Sequence, residues 1–138
     1  MSETTCPLCQ PHNEKIMWRD DLLRVISVND PDYPGFCRVI LNRHVKEMTD
    51  LSPDERTRLL NAVIVVEGAL RELLQPDKIN LAALGNQVPH LHWHVIPRFA
   101  DDAHFPDPVW AAARRTGHPR SADLARLAQI IARQLEAG

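Results

Sequence analysis

The sequence lacks the features that direct a chain into a membrane, onto a nucleic acid or into a disulfide-bonded fold. No apolar run approaches the ~20 residues that a membrane-spanning helix needs. The 16 basic and 18 acidic side chains give a net charge of -2, so no excess of positive charge predicts binding to nucleic acid or anionic lipid. Only three of the 138 residues are cysteine, which excludes a framework of several disulfide bridges.

The rest of the composition predicts one soluble domain over residues 1–138. Hydrophobic residues make up 44% and charged residues 25%, as in globular domains that form a buried core. The stretch 1–15 has no basic segment followed by an apolar one, so we expect no secretory signal and a cytoplasmic location. We place the core of the domain at 6–100, and an irregular segment with a final helix at 101–138.

Turn-forming residues divide the chain into short strands and two helices. The motif Ser52-Pro53-Asp54-Glu55 predicts a long helix, because it combines a hydroxyl N-cap, a proline at the first helical position and a capping-box glutamate. Pro76 should end this helix, and Ser121 is expected to cap a second one. Apolar runs predict strands over 15–19, 22–28, 36–41, 78–84 and 91–99. This order indicates an α+β domain in which about five antiparallel strands pack against one long helix.

Histidine is concentrated in one segment, because three of the seven histidines lie between positions 90 and 94. In His90-Leu91-His92-Trp93-His94 they alternate with apolar residues, and alternate residues of a strand share one face at a spacing of about 6.6–7 Å. We therefore expect three imidazoles on one exposed face of the sheet. A single histidine is usually a hydrogen-bonded residue with no further task, but a row of three is costly to an ordinary sheet and indicates a functional site.

Two kinds of chemistry suit such a row. One imidazole could attack phosphorus or a carbonyl carbon, while its neighbours hold its tautomer and serve the leaving group. Phosphate esters fit well, because cationic neighbours neutralise the charge of the transition state. Alternatively, two or three of the rings could hold a zinc ion that activates water. The spacing alone leaves both possibilities open.

Cys6 and Cys9 have the spacing of half a zinc site, which needs two further ligands. The candidates are His12, His44 and one histidine of the row. Idle thiols and a thioredoxin-like redox pair are the alternatives, although a redox pair normally follows a strand and no strand precedes Cys6. The third cysteine, Cys37, lies in an apolar run and is expected to be a packed core thiol.

The segment around the histidine row resembles the signature of the histidine triad family, His-φ-His-φ-His-φ-φ with φ hydrophobic. It reads Gly85-Asn86-Gln87-Val88-Pro89-His90-Leu91-His92-Trp93-His94-Val95-Ile96-Pro97-Arg98. The resemblance extends from about Cys6 to Arg98 and includes the Pro34-Gly35 loop and the segment Asn42-Arg43-His44. It implies a homodimer of small α+β subunits with a sheet continued across the dimer, which binds purine nucleotides and cleaves at the α-phosphate.

The resemblance also implies roles for individual residues. His92 would be the nucleophile that forms a nucleotidyl-histidine intermediate, His94 would contact the phosphate and serve the leaving group, and the backbone carbonyl of His90 would orient His92. A structural zinc would be bound by Cys6, Cys9, His44 and His90, and the chemistry would need no cofactor. Substrate would be bound by Asn29 at the ribose, and by Asn80, Gly85, Asn86 and Gln87 near the phosphate.

The implied function is that of a nucleotide hydrolase or nucleotidyl transferase. Its substrate would be a dinucleoside polyphosphate or another purine nucleotide conjugate, such as a phosphoramidate. Two alternatives remain: a nucleotide-binding regulatory module with little turnover, and a zinc-dependent hydrolase that uses the triad as its metal site. Asn29 is equally well explained as a turn former. Trp110 could reach across a dimer interface or simply cover apolar surface.

Overall fold

The computed structural model describes residues 2–137, which form five strands, two α-helices and a single turn of 3-10 helix at Met48–Asp50. The strands are β1 (Lys15–Arg19), β2 (Leu23–Ser27), β3 (Cys37–Leu41), β4 (Lys78–Ala82) and β5 (His92–Arg98), and the helices are α1 (Pro53–Leu74) and α2 (Leu124–Ala137). No helix within 2–137 is both long and apolar enough to cross a membrane.

The five strands form one antiparallel sheet in the order β1-β2-β3-β5-β4. The pairing of β3 with β5 places Ile40 opposite His92 and Arg38 opposite His94. A register shift between Ile16 and Trp18 interrupts the pairing of β1 with β2. The predicted α+β class, with a five-stranded antiparallel sheet and one long helix, is confirmed.

The two faces of the sheet have different surroundings, because successive strand residues point to opposite sides. One face carries Val39, Val95 and Cys37, which are buried in the main core with the apolar side of α1. Cys37 is therefore the packed core thiol that the sequence predicts. The opposite face carries His92 and His94, and we call it the histidine face.

Helix α1 begins where the sequence predicts, because its capping box is complete. The Ser52 hydroxyl accepts a hydrogen bond from the Glu55 N–H at 3.2 Å, and the Glu55 carboxylate accepts one from the Ser52 N–H at 2.9 Å. Hydrogen bonds from Arg43 and from the Ser52 N–H lower the pKa of Glu55 to about 2. The helix ends at Gln75, which adopts the left-handed conformation with a φ of 50° just before Pro76.

Several predicted boundaries are wrong by one or two residues. The strands predicted at 22–28, 36–41, 78–84 and 91–99 are shorter in the structure, and Ala83 and Leu84 leave the sheet because the chain turns at Gly85, whose φ is +66°. Ser121 does not cap the final helix. Instead, the Asp123 carboxylate accepts a hydrogen bond from the Arg126 N–H at 3.0 Å, so the helix begins at Leu124.

Two glycines provide opposite tests of the packing around α1. Gly35 has a φ of +93°, and a Cβ there would lie 2.9 Å from Cδ1 of Leu74, whereas a Cβ on Gly68 in α1 would meet nothing within 4 Å. We expect Gly35→Ala to lower the free energy of unfolding by about 1–2 kcal/mol through the left-handed backbone alone. Gly68→Ala should raise it by roughly 0.5–1 kcal/mol. Urea titration of the two variants checks the signs, and a stable Gly35→Ala protein would contradict this packing.

Candidate functional site

His92 is held as a neutral imidazole with one ring nitrogen available. It lies buried at the start of β5, and its Nδ1 is 2.6 Å from the backbone carbonyl oxygen of His90. Because a carbonyl oxygen can only accept, Nδ1 carries the proton and Nε2 keeps its lone pair. Burial lowers the pKa of His92, and the charge of Arg38 lowers it further, although the hydrogen bond to His90 acts in the opposite direction. His92 therefore has the tautomer that a nucleophile requires.

His94 lies in an aromatic environment on the same face. Its ring centroid is 5.0 Å from those of His92 and Trp110, and 5.7 Å from that of Phe36. Burial lowers the pKa of His94 to about 4, with contributions from His92 and Arg38, so the ring is neutral near pH 7. Its Nδ1 is buried and has no hydrogen-bond partner among residues 2–137. The Trp110 contact is made within one chain.

His90 does not share the face of His92 and His94, so the prediction of three imidazoles on one exposed face is wrong. The chain enters β5 only at His92, and the rings of all three histidines are buried. The carbonyl oxygen of Leu41 lies 2.6 Å from Nε2 of His90, so Nε2 carries the proton and Nδ1 is left to accept. That nitrogen points to Cys6 and Cys9.

The side chains of Cys6, Cys9, His44 and His90 form a cluster whose ligand atoms all lie within 4.8 Å of one another. Cys6 Sγ is 3.4 Å from Nδ1 of His90, Cys9 Sγ is 3.2 Å from Nδ1 of His44, and the two Nδ1 atoms are 3.3 Å apart. Tetrahedral zinc with ordinary Zn–S and Zn–N bonds separates its ligand atoms by about 3.3–3.8 Å. The donor set and its spacing therefore fit zinc. His12, the alternative ligand, lies outside the cluster.

Gly85 and His92 both line a small cavity of about 160 Å³ between the turn after β4 and the 3-10 helix. The side chains of Asn86 and Gln87 are exposed. Asn80 lies on the histidine face, where its amide oxygen accepts a hydrogen bond from Arg98 at 2.7 Å. The structure thus brings Gly85 to His92 and shows Asn80 already engaged with Arg98.

A cavity of about 840 Å³ is lined by residues of β2, β3 and the N-terminal segment, and Arg38 is the lining residue that is paired with the histidine strand. Ile26 and Val28 form part of its floor, Leu8 of the N-terminal segment forms a wall, and Asn29 is exposed at its edge. The volume lies within the ~300–1,000 Å³ range of small-molecule sites.

A buried ion pair lies at the end of β5 that is distant from His92. Arg98 donates to Asp102 through Nε at 2.9 Å and Nη2 at 3.1 Å, and both side chains are only 2% exposed. Tyr33 donates to the same carboxylate at 3.1 Å, and Arg98 also donates to the carbonyl of Asp107 at 2.7 Å. These contacts anchor the irregular segment 99–118 that carries Trp110.

The HIT domain family model matches residues 10–101 of the 138. The chain belongs to the HIT family. Among curated relatives of this HIT protein is the asymmetrical bis(5'-nucleosyl)-tetraphosphatase of Schizosaccharomyces pombe, 30% identical over an alignment of 93 residues that covers 64% of this chain and 51% of that one. The AP-4-A phosphorylase of Mycobacterium tuberculosis is 27% identical over 108 residues, 74% of this chain and 55% of that one. The chain spans about half the length of these relatives.

Solved HIT structures share the fold over most of their length. A histidine triad protein of Bradyrhizobium japonicum superposes with a TM-score of 0.72 and 30% identity, covering 89% of this chain and 91% of that one. A Zn-bound histidine triad family protein of Mycobacterium smegmatis gives a TM-score of 0.65 and 21% identity, covering 99% of each chain. The two α-helices and the sheet of this HIT protein therefore have the same arrangement as in these solved structures.

Arg38 is the residue of this HIT site that sequence reasoning missed. It is a single basic residue within the apolar run Phe36-Cys37-Arg38-Val39-Ile40-Leu41, and a charged residue inside a buried strand is itself a signal. Only the pairing of β3 with β5, which places Arg38 opposite His94, relates this residue to the site.

Proposed function

We propose that this HIT protein is a nucleotide hydrolase or nucleotidyl transferase that attacks the α-phosphate of a dinucleoside polyphosphate. The observation that carries the proposal is the 2.6 Å contact between Nδ1 of His92 and the carbonyl oxygen of His90, which leaves Nε2 free to attack. Two curated relatives, named as a dinucleoside tetraphosphatase and an AP-4-A phosphorylase, support a nucleotide-processing activity.

The reaction proceeds by two displacements at phosphorus. The Nε2 lone pair of His92 forms a bond to the α-phosphorus, the bond from phosphorus to the bridging oxygen breaks, and the leaving nucleotide takes the electron pair. In the second step water attacks the nucleotidyl-histidine, the P–N bond breaks, and the water proton is released as the nucleoside monophosphate departs. Inorganic phosphate in place of water gives phosphorolysis by the same route. His94 contacts the phosphate next to the leaving group.

The proposed substrate positions follow from two cavities, of which the smaller is lined by His92. The nucleoside occupies the 840 Å³ cavity, with Asn29 at the ribose. The backbone around Gly85 approaches the α-phosphate, which a residue with positive φ and no Cβ allows. Asn86 and Gln87, exposed in the same turn, add polar contacts to the phosphate. Asn80 acts from the neighbouring strand, through its hydrogen bond with Arg98.

We infer that zinc is structural and is bound by Cys6, Cys9, His44 and His90. The carbonyl of Leu41 at Nε2 of His90 fixes the tautomer that presents Nδ1 to a metal. Four protein ligands close a tetrahedral site and leave no position for an activated water. This argues against the zinc-hydrolase alternative, because His92 and His94 lie outside the cluster. Zinc joins the N-terminal segment to the chain entering β5.

Removal of zinc is expected to destabilise the protein. Ligand present at about 1,000 times its Kd adds about 4 kcal/mol to the free energy of unfolding, so a strong chelator should lower the melting temperature by roughly 10–20 °C. Cys6→Ser should reduce bound zinc from one per chain to well below one, measured by elemental mass spectrometry. Cys37→Ala, a change at a buried cysteine outside the cluster, should retain it. Full zinc in the Cys6→Ser protein would show that the metal lies elsewhere.

We also propose that the protein is a homodimer in the cytoplasm, with the sheet continued through β4. Strand β4 is an edge strand, and Leu81 and Leu84 are exposed on and after it. Leu60 and Ile64 expose further apolar surface on α1. Light scattering after size exclusion is expected to give twice the chain mass, and Ile64→Glu should shift it toward the monomer.

The decisive experiment uses diadenosine tetraphosphate in water enriched in oxygen-18. We expect AMP and ATP as products, with the heavy oxygen in AMP, and a quenched protein whose mass has increased by one adenylyl group on the peptide that contains His92. Heavy oxygen only in ATP would place the attack at another phosphorus and overturn the proposal. Binding of the nucleotide with neither turnover nor adduct would favour the regulatory-module alternative.

A further inference from the structure

Arg24 on β2 and Arg38 on β3 both lie on the histidine face, and the fold uses only one of these two arginines. The side chain of Arg24 is buried and donates to both carboxylate oxygens of Glu14, at 2.7 and 2.9 Å, and to the carbonyl of Leu8 at 2.8 Å. The side chain of Arg38 forms no ion pair or hydrogen bond to any other residue among 2–137, and its Nε is buried without a partner. Arg24 therefore serves the fold, whereas Arg38 has no partner in it.

An unpaired guanidinium at a half-buried position lowers the stability of the fold. Arginine cannot be deprotonated in a protein, so burial penalises a charge that stays on the side chain. Burial indeed lowers the pKa of Arg38, and the charge of Glu14 offsets this only in part. Groups left unsatisfied in this way need an explanation outside the fold, and a bound anion supplies one.

The position of Arg38 indicates which part of a nucleotide it meets. It lies opposite His94 in the β3–β5 pair and lines the 840 Å³ cavity, so it stands between that cavity and His94. The Nδ1 atom of His94 is likewise buried without a partner. Arg38 and His94 are thus neighbouring side chains that the fold leaves with unpaired polar atoms, and the cavity gives a phosphate group access to the guanidinium of Arg38.

The environment of His94 favours a leaving group that departs as an anion. Burial lowers the pKa of His94 to about 4, so the free protein has few protonated His94 rings at neutral pH. An amine must take up a proton to leave, but a phosphate monoester, with a second pKa near 6, departs as a stable anion without one. A fixed positive charge is what such a leaving group needs.

We propose that Arg38 binds the phosphate of the leaving nucleotide and makes this HIT protein selective for phosphoanhydrides over nucleoside phosphoramidates. The inference rests on the proposed function. As the bond from the α-phosphorus to the bridging oxygen breaks, the electron pair stays on that oxygen, and the guanidinium of Arg38 neutralises the added charge. No proton transfer to the leaving group is required. Arg38 contacts the β-phosphate and is a specificity determinant of the reaction.

The test compares diadenosine tetraphosphate with adenosine 5'-phosphoramidate. We expect Arg38→Gln to lower kcat/KM for the tetraphosphate by roughly 100-fold, as for loss of one charge-stabilising donor. The phosphoramidate, which has no second phosphate, should lose less than threefold. Arg38→Lys should restore part of the tetraphosphate activity. Arg133→Gln removes the same charge from an exposed position on α2 and should change neither. Equal losses with both substrates would overturn the inference.

A binding experiment separates this inference from the proposed function. Calorimetry with AMP and ADP needs no turnover, and the two ligands differ only in the β-phosphate. We expect the wild-type protein to bind ADP at least tenfold more tightly than AMP, and Arg38→Gln to remove that difference while leaving AMP binding within twofold. Absence of turnover in the wild type would defeat the proposed function and leave this comparison intact. If the glutamine variant does not fold, Arg38→Met keeps the aliphatic volume, and an ADP preference that survives in it overturns the inference.

Discussion

Replacement of His92 by alanine is expected to reduce kcat for dinucleoside polyphosphate cleavage by roughly 10⁴-fold or more, because it removes the proposed nucleophile of the first displacement, which is also the leaving group of the second. Within the described part of the chain, 2–137, the ring forms one hydrogen bond, to the backbone of His90, so its loss leaves the sheet register and the metal cluster in place. We therefore expect a folded protein with its zinc retained and no adenylylated intermediate. Single-turnover kinetics and intact-protein mass spectrometry measure both effects.

His118 supplies the matched control for this prediction. It is exposed in the irregular segment before α2, and its side chain has no hydrogen bond among residues 2–137. His118→Ala should leave kcat within twofold of the wild type. His92→Gln, which keeps a polar side chain of similar size, should be as inactive as the alanine variant. More than a tenth of wild-type activity in either His92 variant would mean that another group attacks phosphorus.

Replacement of Asp102 by asparagine is expected to cost about 3–5 kcal/mol of stability, the cost of leaving one member of a buried ion pair without its partner. Arg98 would keep its charge at a position where only 2% of the side chain is exposed. The carboxylate also accepts hydrogen bonds from the backbone amides of Phe99, His104 and Phe105, between 2.8 and 3.0 Å. Asparagine keeps one acceptor oxygen but presents an NH2 group where the second oxygen accepts, so the segment that holds Trp110 against His94 should loosen and activity should fall with stability.

The Asp102 prediction has a matched control and a pH dependence. Asp107 pairs with Arg114 in the same segment but at the surface, so Asp107→Asn should leave the urea midpoint almost unchanged. Burial acts to raise the pKa of Asp102, but hydrogen bonds from Arg98 and the backbone amides hold it well below its usual range. The folded pKa is depressed, so the contribution of Asp102 is complete above the unfolded pKa of ~3.9 and fades as the pH falls below it. Wild-type and Asp102→Asn midpoints should therefore begin to converge below about pH 4 and meet only below the depressed folded pKa.

Local signals predicted the elements of this fold well. The Ser52 and Glu55 capping box and Pro76 lie at the ends of α1 because capping is decided by residues a few positions apart. The prediction that Ser121 caps the final helix is wrong, because Asp123 is the cap. Ser121 and Asp123 are both residue types that favour the N-cap position. Only the backbone geometry distinguishes them.

The histidine row shows the limit of predicting strand faces from neighbouring residues. Alternation correctly separated His92 and His94 from Trp93 and Val95, because a period of two holds inside a strand. It failed at His90, whose amide bonds the carbonyl of Val88 while the next amide bonds the carbonyl of Val45. The strand ends there through contacts with another part of the chain, which a pattern of neighbouring residues does not contain.

The sequence by itself determined the α+β class, the family resemblance and the residue types of both histidine-containing sites, because these depend on periodicity, capping and short motifs. Only the tertiary structure decided that His90 lies in the cysteine cluster while His92 and His94 lie on the histidine face, and what surrounds each ring. Cys6 and His90 meet across 84 positions, Tyr33 and Asp102 across 69, and Arg38 reaches His94 only through the pairing of β3 with β5. Burial and charge at each group come from such distant neighbours, so the tautomer of His92, the depressed pKa of His94 and the unpaired charge of Arg38 exist only in the folded chain.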